Sequence, residues 1–236
     1  MRKAAVVPAF NEAGSIAEVV AEIRHADADF EVVVVDDGST DGTAELARAA
    51  GATVITLPYN LGIGAAVQTG IQYAYALDFD VAVQVDGDGQ HDSTDLAKLL
   101  EPVLSGRADI AVGTRFAGGG LYRPSFARQI GISLFARVVS LIVRQRVTDT
   151  TSGFRALNRR GIRLFAAEYP HDYPEVEATV LARRHGLRLT EVPVEMRYRV
   201  EGRSSITAAR SVYYMIKVSL ALMIGLFRRY PALETR

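Results

Sequence analysis

"VQVDGDGQHD", residues 83–92, ends an apolar run in three acidic side chains and a histidine. The reading of the whole chain turns on what such a charge cluster is doing at the end of a buried strand. Similar apolar, β-branched runs occupy residues 4–7, 32–35, 53–57, 81–85 and 109–112, most of them followed by Gly, Asp, Asn or Pro. Runs of this length and punctuation predict buried strands. Helix-like stretches fill the gaps at 14–25, 41–50, 63–77 and 93–104, with Ser39, Thr40 and Asp41 offered as caps for one and Asp92 or Ser93 for another. The β-α-β-α alternation predicts an α/β fold whose first half is Rossmann-like, a mostly parallel sheet with helices on both faces. Ligands of such sheets bind outside the carboxyl ends of the strands. The polar loops "PAFNE" (8–12), "DDGSTDGT" (36–43), "YNLGIG" (59–64) and "DGDGQHD" (86–92) all fall at that edge.

The 236 residues, 49% apolar and 23% charged, suit one α/β domain with a sizeable core. No linker, internal repeat or low-complexity tract divides them, so residues 1–236 are read as a single unit with a ligand-binding half (1–114) and a second half (115–236). Lys plus Arg and Asp plus Glu balance at 27 each, which excludes a general attraction to nucleic acid. The charges are nonetheless segregated. Acids dominate from Asp27 to Asp92 and arginines from Arg115 to Arg163, as expected if one region handles a cation and another an anionic partner. The absence of cysteine and of a signal-like apolar segment in "MRKAAVVPAFNE" points to a cytoplasmic address.

Asp86 and Asp88 are separated by Gly87 and followed by Gly89, so a flexible loop can aim both carboxylates at one point. Two such groups repel unless a proton or cation lies between them. Mg²⁺ and Mn²⁺ commonly take one or two carboxylates and complete their shells with phosphate and water, which implies a diphosphate ligand. Taken alone, Asp-Gly-Asp-Gly reads equally as a turn. A calcium loop does not fit, because Gln90 and "HDSTDL" lack the remaining ligands. "GIGAAVQTG" fails as a dinucleotide fingerprint because Val67 stands where the third glycine belongs.

"VVPAFNEAGSI" (6–16), "VVVVDDGSTDGT" (32–43), "NLGIGAAVQTGI" (60–71) and "VDGDGQHD" (85–92) together resemble the family 2 glycosyltransferases of the GT-A fold. The resemblance continues through "GTRF" (113–116), "DTTSGFRA" (149–156), the stretch 173–194 and "RVEGRSS" (199–205). Within that family the chain looks most similar to polyprenyl- and dolichyl-phosphate sugar synthases. It has no Trp, hence no Gln-x-x-Arg-Trp motif of processive synthases, and the resemblance implies transfer of one sugar per turnover. It further implies that a UDP- or GDP-linked sugar meets Pro8, Phe10, Glu12, Asp36, Asp37, Gly62 and Asp86. Asp86, Asp88 and Gln90 would hold Mg²⁺ or Mn²⁺ against the diphosphate, with His91 left out of the shell and read equally as a helix cap. Family members often carry Tyr where Phe10 stands, so a phenolic hydrogen bond is lost while stacking survives. Against these roles, Pro8 and Phe10 could simply end a strand, and Asp36 or Asp37 could cap the next helix.

For the acceptor, the resemblance implies a lipid phosphate positioned by Arg115, Arg128, Arg199 and Ser204. Such a phosphate is already anionic and needs cations more than a strong base. Asp149, with Asp88 and Arg115, would complete the catalytic set, Asp149 acting as base or as orienter; the alternative is an N-cap or an ion pair with Arg155. Glu175 and Glu177 are secondary candidates. The apolar stretch 212–227, interrupted by Lys217, is short for a spanning helix. Segments 125–146 and 205–230 are therefore expected as amphipathic interfacial helices, unless they pack in a core or a dimer. The implied setting is peripheral association with the inner face of the cell membrane, with a small membrane protein as partner and a homo-oligomer left open. Two other readings stand beside it: a glycosyltransferase acting on a glycan or protein, and a catalytically silent nucleotide-sugar-binding subunit.

Overall fold

The computed structural model describes residues 1–116, 136–171 and 173–197. Strands β1 (Lys3–Ala9), β2 (Phe30–Asp36), β3 (Thr53–Thr56) and β4 (Val81–Gln84) alternate with helices α1 (Ile16–Ala26), α2 (Thr43–Ala49) and α3 (Ile63–Ala76). Helix α4 (Leu96–Leu104) and strand β5 (Ile110–Thr114) follow. The described part of α5 covers 136–143. Strand β6 (Arg155–Asn158), helices α6 (Arg159–Ala167) and α7 (Pro174–Arg184), and strand β7 (Leu189–Pro193) complete the described elements.

The seven strands form one sheet in the order β3-β2-β1-β4-β6-β5-β7. All neighbours are parallel except β6, which runs antiparallel to both β4 and β5. The expected strands and helices are present to within a few residues. Because helices cover both faces, successive strand residues enter opposite cores: Val32 and Val34 pack with α1 and α4, whereas Val33 and Val35 pack with Ala66 of α3. That is why these strands read as unbroken apolar runs. Each fully buried Val contributes roughly 1.5–3 kcal/mol. Gly70 brings α3 close to the sheet, since a Cβ there would lie 2.3 Å from Val6 Cγ1.

Two expected caps are corrected. Helix α2 is entered through Gly42 at φ 88°, and Asp41 accepts from Thr43 N at 3.1 Å. Ser39 and Thr40 instead engage Asn11 in the neighbouring loop, Ser39 Oγ accepting from Asn11 N at 2.9 Å and Thr40 N donating to Asn11 Oδ1 at 3.0 Å. The segment expected as a helix from residue 93 begins with a 3₁₀ turn, Ser93–Asp95, capped by Asp92 through Thr94 N at 2.9 Å. In α5, Val139 and Val143 bury against Tyr173, Val176 and Val180 around α7, while Leu141 is 79% exposed. Residues 125–135 and 205–230 of the two proposed interfacial helices lie outside the described residues, as do Arg128, Arg199 and Ser204. Among the described residues no helix is long and apolar enough to cross a membrane.

Candidate active site

An open cleft of about 320 Å³ lies at the carboxyl ends of β1, β2 and β4. Its lining brings together Pro8, Phe10, Glu12, Asp37, Gly62, Asp86 and Asp88, all expected there from sequence, and adds Asn60 and Ile63. Phe10 is 44% exposed, so its ring is presented at the wall and not spent in the core. Asp36 and Gln90 are not part of that lining.

The loops are held by one another's side chains. Glu12 N donates to Thr43 Oγ1 at 2.9 Å and Ala13 N to Asp41 Oδ2 at 3.1 Å, tying the β1 loop to the β2 loop. Asp37 is buried, and its two carboxylate oxygens accept from Leu61 N at 2.8 Å and Gly62 N at 2.9 Å, which brings the third loop to the cleft. Asp36 Oδ1 accepts from Ser39 N at 3.2 Å, closing the turn through Gly38. Neither aspartate caps α2. Gly38 has φ 75°, and a Cβ there would lie 2.7 Å from the Tyr59 backbone, so both conformation and space require glycine.

At the end of β4, Asp86 is oriented from two sides. Gln84 Nε2 donates to Oδ1 at 3.3 Å, and His91 Nε2 contacts Oδ2 at 3.0 Å. His91 is 4% exposed and stacks on Phe154 with ring centroids 4.6 Å apart. It therefore holds a carboxylate and caps no helix; the cap is Asp92. Burial pushes the Asp86 carboxyl up, but the His91 imidazole, the Gln84 amide and the Arg115 guanidinium outweigh it, leaving Asp86 below the usual carboxylate range. Gly153 completes the cradle, since a Cβ there would lie 2.8 Å from Asp86 Oδ1 and 2.8 Å from Gln84 Nε2. Asp88 Oδ1 accepts from Gln90 N at 3.1 Å.

Among the described residues no group of three His, Asp or Glu side chains is disposed to hold a metal alone. Two carboxylates on the cleft wall, one of them oriented and ionised, nonetheless fit Mg²⁺ or Mn²⁺ bound jointly with a diphosphate. Asp86 and Asp88 would be the protein ligands.

Four residues before Gly153 in the chain, Asp149 forms a bidentate pair with Arg115. Arg115 Nε and Nη2 donate to Asp149 Oδ2 and Oδ1 at 2.7 Å each, and Arg115 Nη2 reaches Thr151 Oγ1 at 2.6 Å. Asp149 is 2% exposed and also accepts from Thr151 N at 3.1 Å. The alternative partner Arg155 turns away, donating to Ser152 O at 3.1 Å and to Glu175 O. With both oxygens engaged, Asp149 orients Arg115 in this geometry, and acting as a base would require the pair to open. Burial pushes the Glu175 carboxyl above its usual range, with Asp86 adding to the rise and Arg155 and Arg115 opposing it. The Glu175 carboxyl therefore lies within electrostatic range of Asp86 and Arg115. Sequence reasoning missed Gln84, Gly153 and Phe154 as functional residues and left His91 outside the metal shell, because their roles arise only where the loops after β4 and before β6 meet.

The family model described as Glycosyl transferase family 2 matches residues 4–165. The chain is a family 2 glycosyltransferase. This glycosyltransferase is 31% identical to an undecaprenyl-phosphate mannosyltransferase of Micrococcus luteus, over 100% of this chain and 99% of that one. It is 30% identical to a polyprenol monophosphomannose synthase of Mycolicibacterium smegmatis, over 92% of this chain and 86% of the relative. Its fold is that of glucosyl-3-phosphoglycerate synthase from Mycobacterium tuberculosis, solved with Mn²⁺, UDP and phosphoglyceric acid, with a TM-score of 0.71 at 22% identity over 95% of this chain and 78% of that one.

Proposed function

We propose that this glycosyltransferase moves one sugar from a nucleoside diphosphate sugar to polyprenyl phosphate, with inversion at C1, and that residues 1–236 act as one GT-A unit. The observation that carries the reading is the junction at Gly153, where the loop bearing Asp149 abuts the Asp86 carboxylate. The donor cleft and the Arg115–Asp149 pair therefore share an edge. The two mannosyl-transferring relatives named above, both described as acting on polyprenyl phosphates, support the acceptor class.

In this reading Phe10 stacks on the nucleobase and the Asp37 clamp holds Gly62 against the nucleotide. Asp86 and Asp88 would hold Mg²⁺ or Mn²⁺, with Gln90 N fixing Asp88, and the ion when bound would neutralise charge on the leaving diphosphate. Arg115 draws the acceptor phosphate into line with C1, helped by Arg128, Arg199 and Ser204, and Asp149 fixes the plane of its guanidinium. An acceptor oxygen bonds to C1 as the C1–O bond to the diphosphate breaks. The acceptor is already ionised, so no strong base is needed. Residues 125–146 and 205–230 bring the enzyme to the cytoplasmic membrane face, where a small membrane protein partner belongs to the same reading.

The test is transfer from a panel of UDP- and GDP-sugars to polyprenyl phosphate, with Mn²⁺ and with chelator. Metal-dependent formation of the lipid-linked sugar is expected. Transfer to a glycan or peptide hydroxyl but never to the lipid phosphate would favour the second reading, a non-lipid acceptor. The packing of Val139 and Val143 inside the fold is the observation on that reading's side.

A further inference from the structure

Glu191 belongs to β7, the edge strand, where it pairs in register with Val112 of β5. Charged side chains are common on edge strands, where they block pairing with another chain. Here the carboxylate turns inward and is used on both oxygens. Oε1 accepts from the backbone N–H of Thr148 at 2.7 Å and of Asp149 at 3.1 Å, and Oε2 accepts from Thr148 Oγ1 at 2.9 Å. Consecutive N–H groups converging on one anionic oxygen hold a backbone far better than a single contact. Thr148 Oγ1 also shares a hydrogen bond with Thr114 Oγ1 at 2.8 Å, and that oxygen accepts from Phe116 N at 3.2 Å. One carboxylate thus fixes the chain on both sides of the Arg115–Asp149 pair.

The same strand continues to the metal-binding loop. Beyond β7, Val194 N donates to Thr114 O at 3.1 Å, Glu195 N to Asp95 Oδ2 at 2.7 Å, and Arg197 N to Gln90 O at 2.9 Å. Residues 191–197 therefore join the loop carrying Asp149 to the loop carrying Asp86 and Asp88.

We infer that Glu191 is a positioning residue for sugar transfer: it sets where Arg115 and Asp149 stand relative to the donor cleft without touching the donor. This rests on Arg115 and Asp149 serving the transfer, as proposed above. Its action is through reach. A side chain of the same length that keeps an acceptor oxygen can replace it, and a shorter carboxylate cannot.

The test compares Glu191→Gln with Glu191→Asp in the full chain. Glu191→Gln is expected to keep kcat for transfer to polyprenyl phosphate within about 3-fold. Glu191→Asp, which retains the charge but falls short of the two N–H groups, is expected to lose about 10- to 100-fold in kcat, as small misplacements of reacting groups do, with KM for the nucleotide sugar held within about 2-fold. Hydrogen exchange at the Thr148 and Asp149 amides should accelerate in Glu191→Asp, while Leu61 and Gly62 amides keep their protection. The inference is overturned if Glu191→Asp outperforms Glu191→Gln, if KM for the donor rises in step with the fall in kcat, or if exchange at 148 and 149 is unaltered in Glu191→Asp. A wild-type enzyme inactive on polyprenyl phosphate would overturn the acceptor assignment alone, and the exchange comparison would then decide the role of Glu191.

Discussion

Gly153→Ala inserts a methyl into the contact on which the proposed metal site depends. That carbon would stand 2.8 Å from Asp86 Oδ1, 2.9 Å from Oδ2 and 2.8 Å from Gln84 Nε2. Ordinary contacts lie near 3.4 Å or beyond, so the carboxylate and the amide must each retreat by roughly half an ångström. Asp86 has little freedom to do so, because His91 holds Oδ2 and is itself wedged against Phe154. Losing one hydrogen bond to the ionised carboxylate costs about 1.5–3 kcal/mol. Disturbing the groups that orient a metal ligand lowers affinity about 10- to 100-fold. We therefore expect Gly153→Ala to need about 10- to 100-fold more Mn²⁺ for half-maximal turnover, with metal-free thermal stability reduced by no more than about 3 kcal/mol. The assay is a Mn²⁺ titration of turnover, paired with thermal stabilisation by Mn²⁺ and UDP. An unchanged Mn²⁺ requirement in a folded variant would refute the cradle.

Other perturbations probe separate parts. Arg115→Lys keeps the charge but cannot make the bidentate pair with Asp149, so kcat should fall about 10-fold or more while UDP binding, read calorimetrically, is retained. Gly38→Ala forces a Cβ into the Tyr59 backbone at positive φ; a loss of about 2 kcal/mol or more in denaturant unfolding, with weakened nucleotide binding, is expected. Asp109, buried at the opposite end of the sheet, is pushed up by burial but held down to about 2 by Arg188, Asn158 and Arg160. Its folded pKa is below the unfolded value of 3.8, so its contribution is complete above about pH 4 and disappears as the pH falls towards 2. Asp109→Asn should cost about 1–2 kcal/mol at pH 7, the exposed arginines reducing the figure, and should flatten the stability profile between pH 4 and 2.

The wound half of the fold was legible because β1, β2 and β4 are buried on both faces and each apolar run is followed by Asp or Pro, so composition and punctuation agree. The cleft followed, since parallel strands deliver those loops to a common edge. The reversal at β6 was not legible: "RALN" is too short to carry a period, and nothing local to it dictates direction. The identity of Asp149's partner depends on that reversal, because Arg155 lies nearest in sequence while Arg115 arrives from the adjoining strand. His91 looked like a cap because it stands just before a helix; the Phe154 ring that turns it onto Asp86 comes from far along the chain. Ser39 and Thr40 failed as caps because left-handed turns at Gly38 and Gly42 carry them away from α2.

The reversed strand has a consequence for how such enzymes diversify. β5 and β6 are antiparallel neighbours, with Val112 opposite Arg155 and Gly113 N bonded to Phe154 O at 2.8 Å, so the chain leaves the sheet after Thr114 and re-enters it at Arg155, beside the point of departure. A connection whose two ends lie side by side can be lengthened at small entropic expense. The β1–β4 scaffold would keep its register throughout. Under the proposed function, exchanging the connection between β5 and β6 among relatives while keeping the contacts of Val139 and Val143 with α7 is thus a route to altered acceptor choice, which chimeric enzymes would test.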